Sequence, residues 1–387
     1  MNIAFTLFDY FPHGGLQRDC LKIAQKCSAT GHEVTIFSRA WRGVKPEGIV
    51  VKTLGCKGWT NVARNQNFIT VLLRLLAKSK FDAVVGFNKM PGLDIYFAAD
   101  PCFEAKARSR SPVYRLTRRY RFYRKTEEAV FGIREKPLIL LITDREVQHY
   151  QDIYGTEPDR FCLLPPNIDR RNFTLKDVAQ SRHAKRKELG LKDDSTLLLF
   201  VGSGFRTKGL DRAIRGLASL PKSHCGNTHL VVVGHNKPKP FDRLAKSLGL
   251  ADRVHFMGGR NDVPEWMLAA DILVHPARNE NTGTVLLESM ASGLPVLVTD
   301  VCGYAFHIEK AKAGCIVLSP FNQSDFNAIL ARMITFAEQA QWRVNGLAYA
   351  GKEDLYSCHQ RAAERIEEFI HNKLTPPFNH FEQKRSS

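Results

Sequence analysis

The sequence predicts an α/β protein made of two tandem, doubly wound halves. Three observations carry that expectation. Short apolar runs alternate with amphipathic stretches, as in domains whose parallel strands are joined by helices. The alternation breaks once, at Pro165-Pro166-Asn167, and restarts near residue 196. A glycine-bearing turn follows the first strand of each half, at Gly14-Gly15 and again between Gly202 and Gly209. In open sheets of this kind ligands lie beyond the carboxyl ends of the strands, so two halves facing each other are expected to enclose a cleft.

Residues 3–8 form an apolar run that suits a buried strand. Gly14-Gly15 breaks it, and 16–30 follows as a helix with Leu16, Cys20, Ile23, Ala24 and Cys27 on one face. Gly31-His32 ends that helix, and 34–38 is the second strand. Residues 83–87, 138–143 and 161–164 are further strands. The stiff Pro165-Pro166 and the polar 169–195 read as a linker. In the second half, strands at 196–202, 229–234, 254–256, 272–275 and 296–299 alternate with helices that include 208–219, 241–248 and 284–291. A late helix spans 353–373. The expected divisions are 1–166, 167–352, a helix 353–373 packing back toward the first half, and a polar, disordered tail at 374–387. No solenoid repeat is present in the sequence.

Hydrophobic residues make up 44% and charged residues 25%, which excludes a mainly disordered or collagen-like chain. No apolar run reaches the ~18 residues of a membrane span. The N-terminus lacks the basic region and cleavage site of a secretory signal. Nine cysteines are scattered and never spaced Cys-x-x-Cys. They argue against a disulfide framework or a zinc site and fit thiols buried in a reducing compartment. The unusual feature is charge. Lys and Arg number 56 against 39 Asp and Glu, a net +17. Such a chain attracts nucleic acid, an acidic membrane surface or phosphorylated ligands.

Four stretches bear on chemistry. Gly14-Gly15-Leu16-Gln17-Arg18-Asp19 opens a helix after a strand, which lets a phosphate or sugar approach bare backbone; a tight strand-to-helix turn explains it equally well. In Gly202-Ser203-Gly204-Phe205-Arg206-Thr207-Lys208-Gly209, two cations precede a helix, as a diphosphate clamp requires. A surface loop with solvated cations is its plain alternative. The string from His275 to Val296 is the most specific. Glu280 lies in a loop at a strand's carboxyl end. The amides of Gly283, Thr284 and Val285 begin a helix and can hold phosphate. Glu288 follows one turn in. A carboxylate beside a phosphate is costly unless it accepts hydroxyls, so two such carboxylates flanking a diphosphate describe a nucleotide-sugar pocket.

The fourth stretch, residues 106–125, holds nine basic residues and no acid. A helical reading from Val113 puts Val113, Leu116, Tyr120 and Tyr123 on one face, with Arg115, Arg118, Arg119, Arg121 and Lys125 mostly away from it. A basic amphipathic segment with aromatics suits an anionic membrane surface. Arginine interleaved with tyrosine also suits single-stranded nucleic acid, and a solvated loop explains the charge alone.

Glu280-x7-Glu288 followed by Ala291-Ser292-Gly293-Leu294-Pro295-Val296 resembles the signature of the family 4 retaining glycosyltransferases. Tyr10-Phe11-Pro12-His13-Gly14-Gly15, Gly86-Phe87-Asn88-Lys89-Met90-Pro91-Gly92 and Tyr96-Phe97-Ala98-Ala99-Asp100 resemble, more narrowly, the bacterial lipopolysaccharide core glucosyltransferases that act on the first heptose. The resemblance extends to about residue 370. It implies a GT-B fold: two Rossmann-like domains, 1–166 for the acceptor and 167–352 for the nucleotide sugar. It implies transfer of a hexose from UDP-glucose, with retention, to the lipopolysaccharide inner core at the cytoplasmic membrane face. No cofactor and no metal ion are implied.

Carried over by position, Glu280 holds the donor sugar hydroxyls and Glu288 the ribose. Gly14 and Gly15 approach the diphosphate and the sugar. Lys208 belongs to the phosphate clamp, and Arg260 to the segment near the base. Asp19 and Asp100 lie on the acceptor side. Ser203 stands where many relatives carry arginine. Thr207 stands where the narrower family places one, so Arg206 is expected to replace it. Many relatives also have a histidine near Asp100. Two rival classes remain weaker. A nucleic-acid-binding protein would lack any accompanying RRM, KH or zinc pattern, and none is expected as a partner. A dinucleotide-dependent oxidoreductase would need a glycine fingerprint that is missing.

Overall fold

A computed structural model describes residues 1–12, 14–170, 178–192, 194–221, 226–335 and 339–374. The chain divides into two compact units, Met1–Pro165 with Ser357–Ser387, and Pro166–Tyr356. Both have parallel sheets joined by helices, the class of fold that the alternation predicts.

In the first unit the described strands are β1 (Asn2–Tyr10), β2 (Glu33–Trp41), β3 (Val50–Thr53), β4 (Ala83–Gly86), β5 (Ile95–Ala98), β6 (Leu138–Leu141) and β7 (Phe161–Leu163). They lie in the order β3-β2-β1-β4-β5-β6-β7, all parallel. Helices α1 (Gly15–Ala29), α2 (Asn61–Leu76), α3 (Phe103–Arg108), α4 (Arg118–Phe131) and α5 (Val147–Tyr154) connect them. β1 is apolar on both faces because helices cover both. Ile3 and Phe5 meet Cys20, Ile23 and Cys27 of α1, whereas Ala4 lies with Phe68, Ile69 and Leu72 of α2 on the other side.

In the second unit α6 (Val178–Glu188) precedes β8 (Thr196–Val201), α7 (Leu210–Ala218), β9 (Thr228–Val233), α8 (Lys239–Ser247), β10 (Val254–Gly258) and α9 (Val263–Ala269). Then come β11 (Ile272–His275), α10 (Thr284–Ala291), β12 (Val296–Thr299), α11 (Ala305–Ala311), β13 (Gly314–Val317), α12 (Gln323–Thr335) and α13 (Gln339–Lys352). The sheet order is β10-β9-β8-β11-β12-β13. α14 (Cys358–Leu374) returns to the first unit and packs on α1, with His359 Nε2 2.9 Å from Asp19 and His32 Nε2 2.9 Å from Glu367.

Several elements differ from the sequence reading. The polar stretch expected to be a linker contains α6. Its Arg182 and Arg186 donate to Asp271, at 2.7 and 2.8 Å, and draw the helix onto the second unit. The late helix starts at Cys358 instead of 353, because α13 ends at Lys352 and a bend intervenes. The tail beyond residue 374 lies outside the described residues. No disulfide joins the described cysteines, and Cys225 falls outside them.

The basic segment is also not one amphipathic helix. Its start belongs to α3, a 3-10 turn covers Pro112–Leu116, and Thr117 then caps α4 by accepting from Tyr120 N at 3.1 Å. The single face of Val113, Leu116, Tyr120 and Tyr123 therefore does not form. Tyr120 and Phe122 are buried, while Val113 and Leu116 are 69% and 75% exposed on the turn.

α4 is held by a buried carboxylate. Glu127 is fully buried. It accepts from Lys89 Nζ at 2.5 Å, Phe103 N at 2.7 Å, Glu104 N at 2.9 Å and Tyr154 Oη at 2.7 Å. Burial alone would raise its pKa, but the Lys89 charge and these hydrogen bonds outweigh burial and hold it below the usual range. The pairing therefore stabilises the fold above the ordinary glutamate pKa of about 4.3, and this contribution is lost as pH falls through the lower folded value. Lys89→Met leaves the charge buried and unpaired, and should cost about 3–5 kcal/mol at neutral pH. Urea midpoints should show the deficit at pH 7 shrinking as Glu127 is protonated in both proteins.

Candidate active site

The site grows from two neighbouring strands. β8 and β11 pair directly, so the loops at their carboxyl ends lie side by side. The loop after β8 ends in Gly209, whose φ of +78° suits glycine. A Cβ there would meet the Pro276 carbonyl oxygen at 1.9 Å, so only glycine lets the two loops close on each other. Arg278 N donates to Thr207 O at 2.8 Å, and its Nη1 donates to Arg206 O at 2.9 Å. The Arg278 guanidinium also grips Asp211 with two bonds of 2.7 Å. Arg212 donates from α7 to the carbonyls of Pro276 and Ala277 at 3.2 and 3.1 Å.

This lacing brings Lys208 onto Glu280, where the two form an ion pair. Burial lowers the Lys208 pKa. An ammonium part-stripped of water gains strongly from an anionic partner. His275 lies beneath, fully buried, with Nε2 3.5 Å from Glu280 Oε2. Burial, and then the Lys208 charge, hold its imidazole at a pKa of about 3, so it stays neutral. The Glu280 loop is tied to the next strand's loop by a bridge between Glu280 and Cys302 and by Tyr304 N donating to Thr282 O at 2.8 Å.

Gly283 caps α10 with φ +89°, and the helix begins at Thr284. First-turn amides have no partners within their own helix. Those of Thr284 and Val285 therefore lie close behind Glu280 in sequence, and Glu288 follows one turn in, half-buried. Ser203 is exposed and its Oγ accepts from His235 N at 3.3 Å. Arg206 is exposed as well, with its backbone rather than its side chain joining the lacing.

Arg260 sits after β10, two strands from β8. Its guanidinium bonds Asp262 at 2.7 Å twice and Glu188 at 3.0 Å, and it lies over Trp266. The Asp262 hydrogen bonds raise its pKa further. Its side chain is thus engaged with α6 and α9.

The remaining expected residues belong to the first unit. Gly14 caps α1, where a Cβ would strike Gln17 Oε1 at 1.9 Å, and Gly15 has open space around it. Asp19 faces His359 of α14. Asp100 is exposed just past β5, and its carbonyl accepts from Tyr150 Oη at 3.3 Å. The sequence reading gave no role to His275, Arg278 or Arg212. Only the adjacency of β8 and β11 reveals them. No group of acids, histidines and cysteines among the described residues could hold a metal ion.

Parallel doubly wound units carrying this pair of loops define a nucleotide-sugar-dependent glycosyltransferase of the GT-B fold. The chain belongs to the glycosyl transferases group 1 family, whose model matches residues 181–346. It is 44% identical over 368 residues to the lipopolysaccharide glucosyltransferase WaaG of Escherichia coli strain K12, covering 95% of this chain and 98% of that one. A crystal structure of WaaG matches with a TM-score of 0.85 over 94% of this chain and 99% of the other. HepE of Anabaena, solved with UDP and glucose, shares the fold at 17% identity and a TM-score of 0.72, covering 95% of this chain and 100% of that one.

Gly209→Ala tests the lacing. Left-handed backbone costs a side chain about 1–2 kcal/mol, and the Pro276 carbonyl must also move. The variant should keep its circular dichroism but lose most of the thermal stabilisation by UDP. Full stabilisation would show that the close approach does not set the site.

Proposed function

We propose that this chain moves glucose from UDP-glucose, with retention, onto a heptose of the lipopolysaccharide inner core. The observation that carries the reading is 44% identity to a lipopolysaccharide glucosyltransferase along nearly the whole of both chains. The Lys208–Glu280 pair supports it chemically. In the unliganded protein each charge compensates the other. On donor binding, the diphosphate takes Lys208 and the sugar hydroxyls take Glu280, so neither charge is left bare.

In this reading Lys208, Arg206 and the amides of Gly283, Thr284 and Val285 hold the diphosphate, with Ser203 beside them. Glu288 accepts from the ribose, and the base lies near the Arg260 segment. Gly14 and Gly15 admit the diphosphate and sugar to bare backbone. Asp100 is better placed than Asp19 to meet the acceptor, since Asp19 is held by His359.

The acceptor hydroxyl attacks the anomeric carbon on the leaving-group side. The bond to UDP breaks as the new glycosidic bond forms, and a β-phosphate oxygen takes the hydroxyl's proton. Lys208 and the helix amides stabilise the charge that develops on UDP. The reading invokes no metal, because these groups supply the positive charge.

The same reading places the enzyme at the inner face of the cytoplasmic membrane. No described helix is long and apolar enough to cross one. Arg115, Arg118, Arg119, Arg121 and Lys125 are all exposed, and such clusters adsorb to anionic lipid with a strength that salt screens.

Lys208→Ala should lower kcat by about 10²–10³-fold, the usual cost of losing one donor to developing charge. Release of UDP on truncated lipopolysaccharide reports the rate, and near-normal turnover would remove Lys208 from the clamp. Glutamine at all five basic positions should abolish salt-sensitive sedimentation with phosphatidylglycerol vesicles. Undiminished sedimentation would remove the segment from the membrane contact.

A further inference from the structure

The first unit holds a groove that none of the residues assigned to the transfer reaction lines. It lies between α2 and α4 and has a volume of about 1130 Å³, room for a ligand at least as large as a typical drug. Its lining mixes two chemistries. Ile69, Leu73 and Phe122 give it an apolar floor. Arg118, Arg121 and Lys125 supply charge at its wall, and no acid among the described residues lines it.

The cations are also placed against the helix that carries them. Arg118, Arg119 and Arg121 occupy the first turn of α4, where no acid is present and the backbone already presents partial positive charge. An anion seated there would relieve both. The cations of the groove thus call for an anionic group and its apolar floor for hydrocarbon.

A third feature stands at the mouth. Thr60 lines the groove and caps α2 by accepting from Ala63 N at 3.1 Å. The residue before it, Trp59, is fully exposed. Gly58, just before it, packs so closely that a Cβ there would meet Arg64 N at 2.8 Å. Trp41 is stacked on Tyr10 and Trp266 is fully buried. An exposed tryptophan beside a basic groove matches the side chain favoured at the boundary of lipid and water.

We infer that the α2–α4 groove holds one anionic phospholipid, phosphate against Arg118, Arg121 and Lys125, chain along Ile69, Leu73 and Phe122, with Trp59 seated at the interface beside it. This rests on the membrane reading above and adds to it a defined lipid site. A diffuse basic surface would attract any anionic bilayer but would not take a single lipid from solution.

The test uses the full chain and monomeric dihexanoyl phosphatidylglycerol below its micellar concentration, followed by calorimetry. One-to-one binding is expected, with no binding of dihexanoyl phosphatidylcholine or glycerol 3-phosphate. Ala129→Trp, which fills the groove without removing charge, and Arg118→Gln with Arg121→Gln should each weaken it at least tenfold. Emission from Trp59 should shift to the blue on phosphatidylglycerol vesicles, and Trp59→Phe should remove the shift. Vesicle binding by the parent chain without one-to-one lipid binding overturns the groove and leaves the membrane reading standing. No vesicle binding overturns both. Equal binding of glycerol 3-phosphate makes the groove a phosphate site and overturns the lipid assignment.

Discussion

The second unit depends on two loops being able to touch. Gly209 lies against the Pro276 carbonyl, and no other residue type leaves that space. Once the loops are in contact, Arg278 and Arg212 bind them by donating to the carbonyls of Arg206, Pro276 and Ala277. Lys208 then has one place to go, beside Glu280 and above a neutral, buried His275. The loop spacing is thus set by backbone and arginine, and the pairing of Lys208 with Glu280 is a consequence of it. Preorganisation of this kind matters because donors aimed in advance need no rearrangement as charge develops.

Buried carboxylates play the corresponding part in each core. Asp271, at the start of β11, accepts from Leu197 N at 2.7 Å and from Arg182 and Arg186 of α6. It joins a helix far away in sequence to the central strands. Glu127 does the same in the first unit, joining α4 to the β4–β5 connection and to the start of α3. Charges buried this deeply add little net stability over an apolar packing. They do demand one arrangement of their partners, and it is this arrangement that positions α4 and its arginines.

What the sequence reveals follows from how local each signal is. Buried strands such as β1 and β8 are continuous apolar runs, and Gly14-Gly15 and Gly283 mark the turns that follow strands. These signals reside in a few neighbouring residues, so the class of fold and the Glu280–Glu288 string are legible. The short β3, with little buried surface, has no such signature. α6 reads as a polar linker because what holds it is Asp271, far along the chain. The helical reading of residues 113–123 fails at one hydroxyl, since Thr117 caps α4 and ends the preceding turn. The charge of Arg260 is engaged by Asp262 and Glu188, a matter of side-chain geometry that spacing does not encode.

The net charge gains meaning once each cation is matched to its neighbours. In the second unit Arg182, Lys185, Arg186, Arg260 and Arg278 are all paired with acids. They hold the fold and contribute little field beyond it. Lys208 is paired too, but with a carboxylate that hydroxyls can satisfy, so its charge can be released to a phosphate. The arginines of α4 differ again: they are exposed, crowded at the positive end of a helix, and set around an apolar groove. A surplus of positive charge there lowers stability through self-repulsion. Its retention in a segment anchored by a fully buried Glu127 makes sense if the compensating anion comes from outside the chain. The proposed function and the proposed lipid site give the two units different anionic partners, a diphosphate for the second and a lipid headgroup for the first.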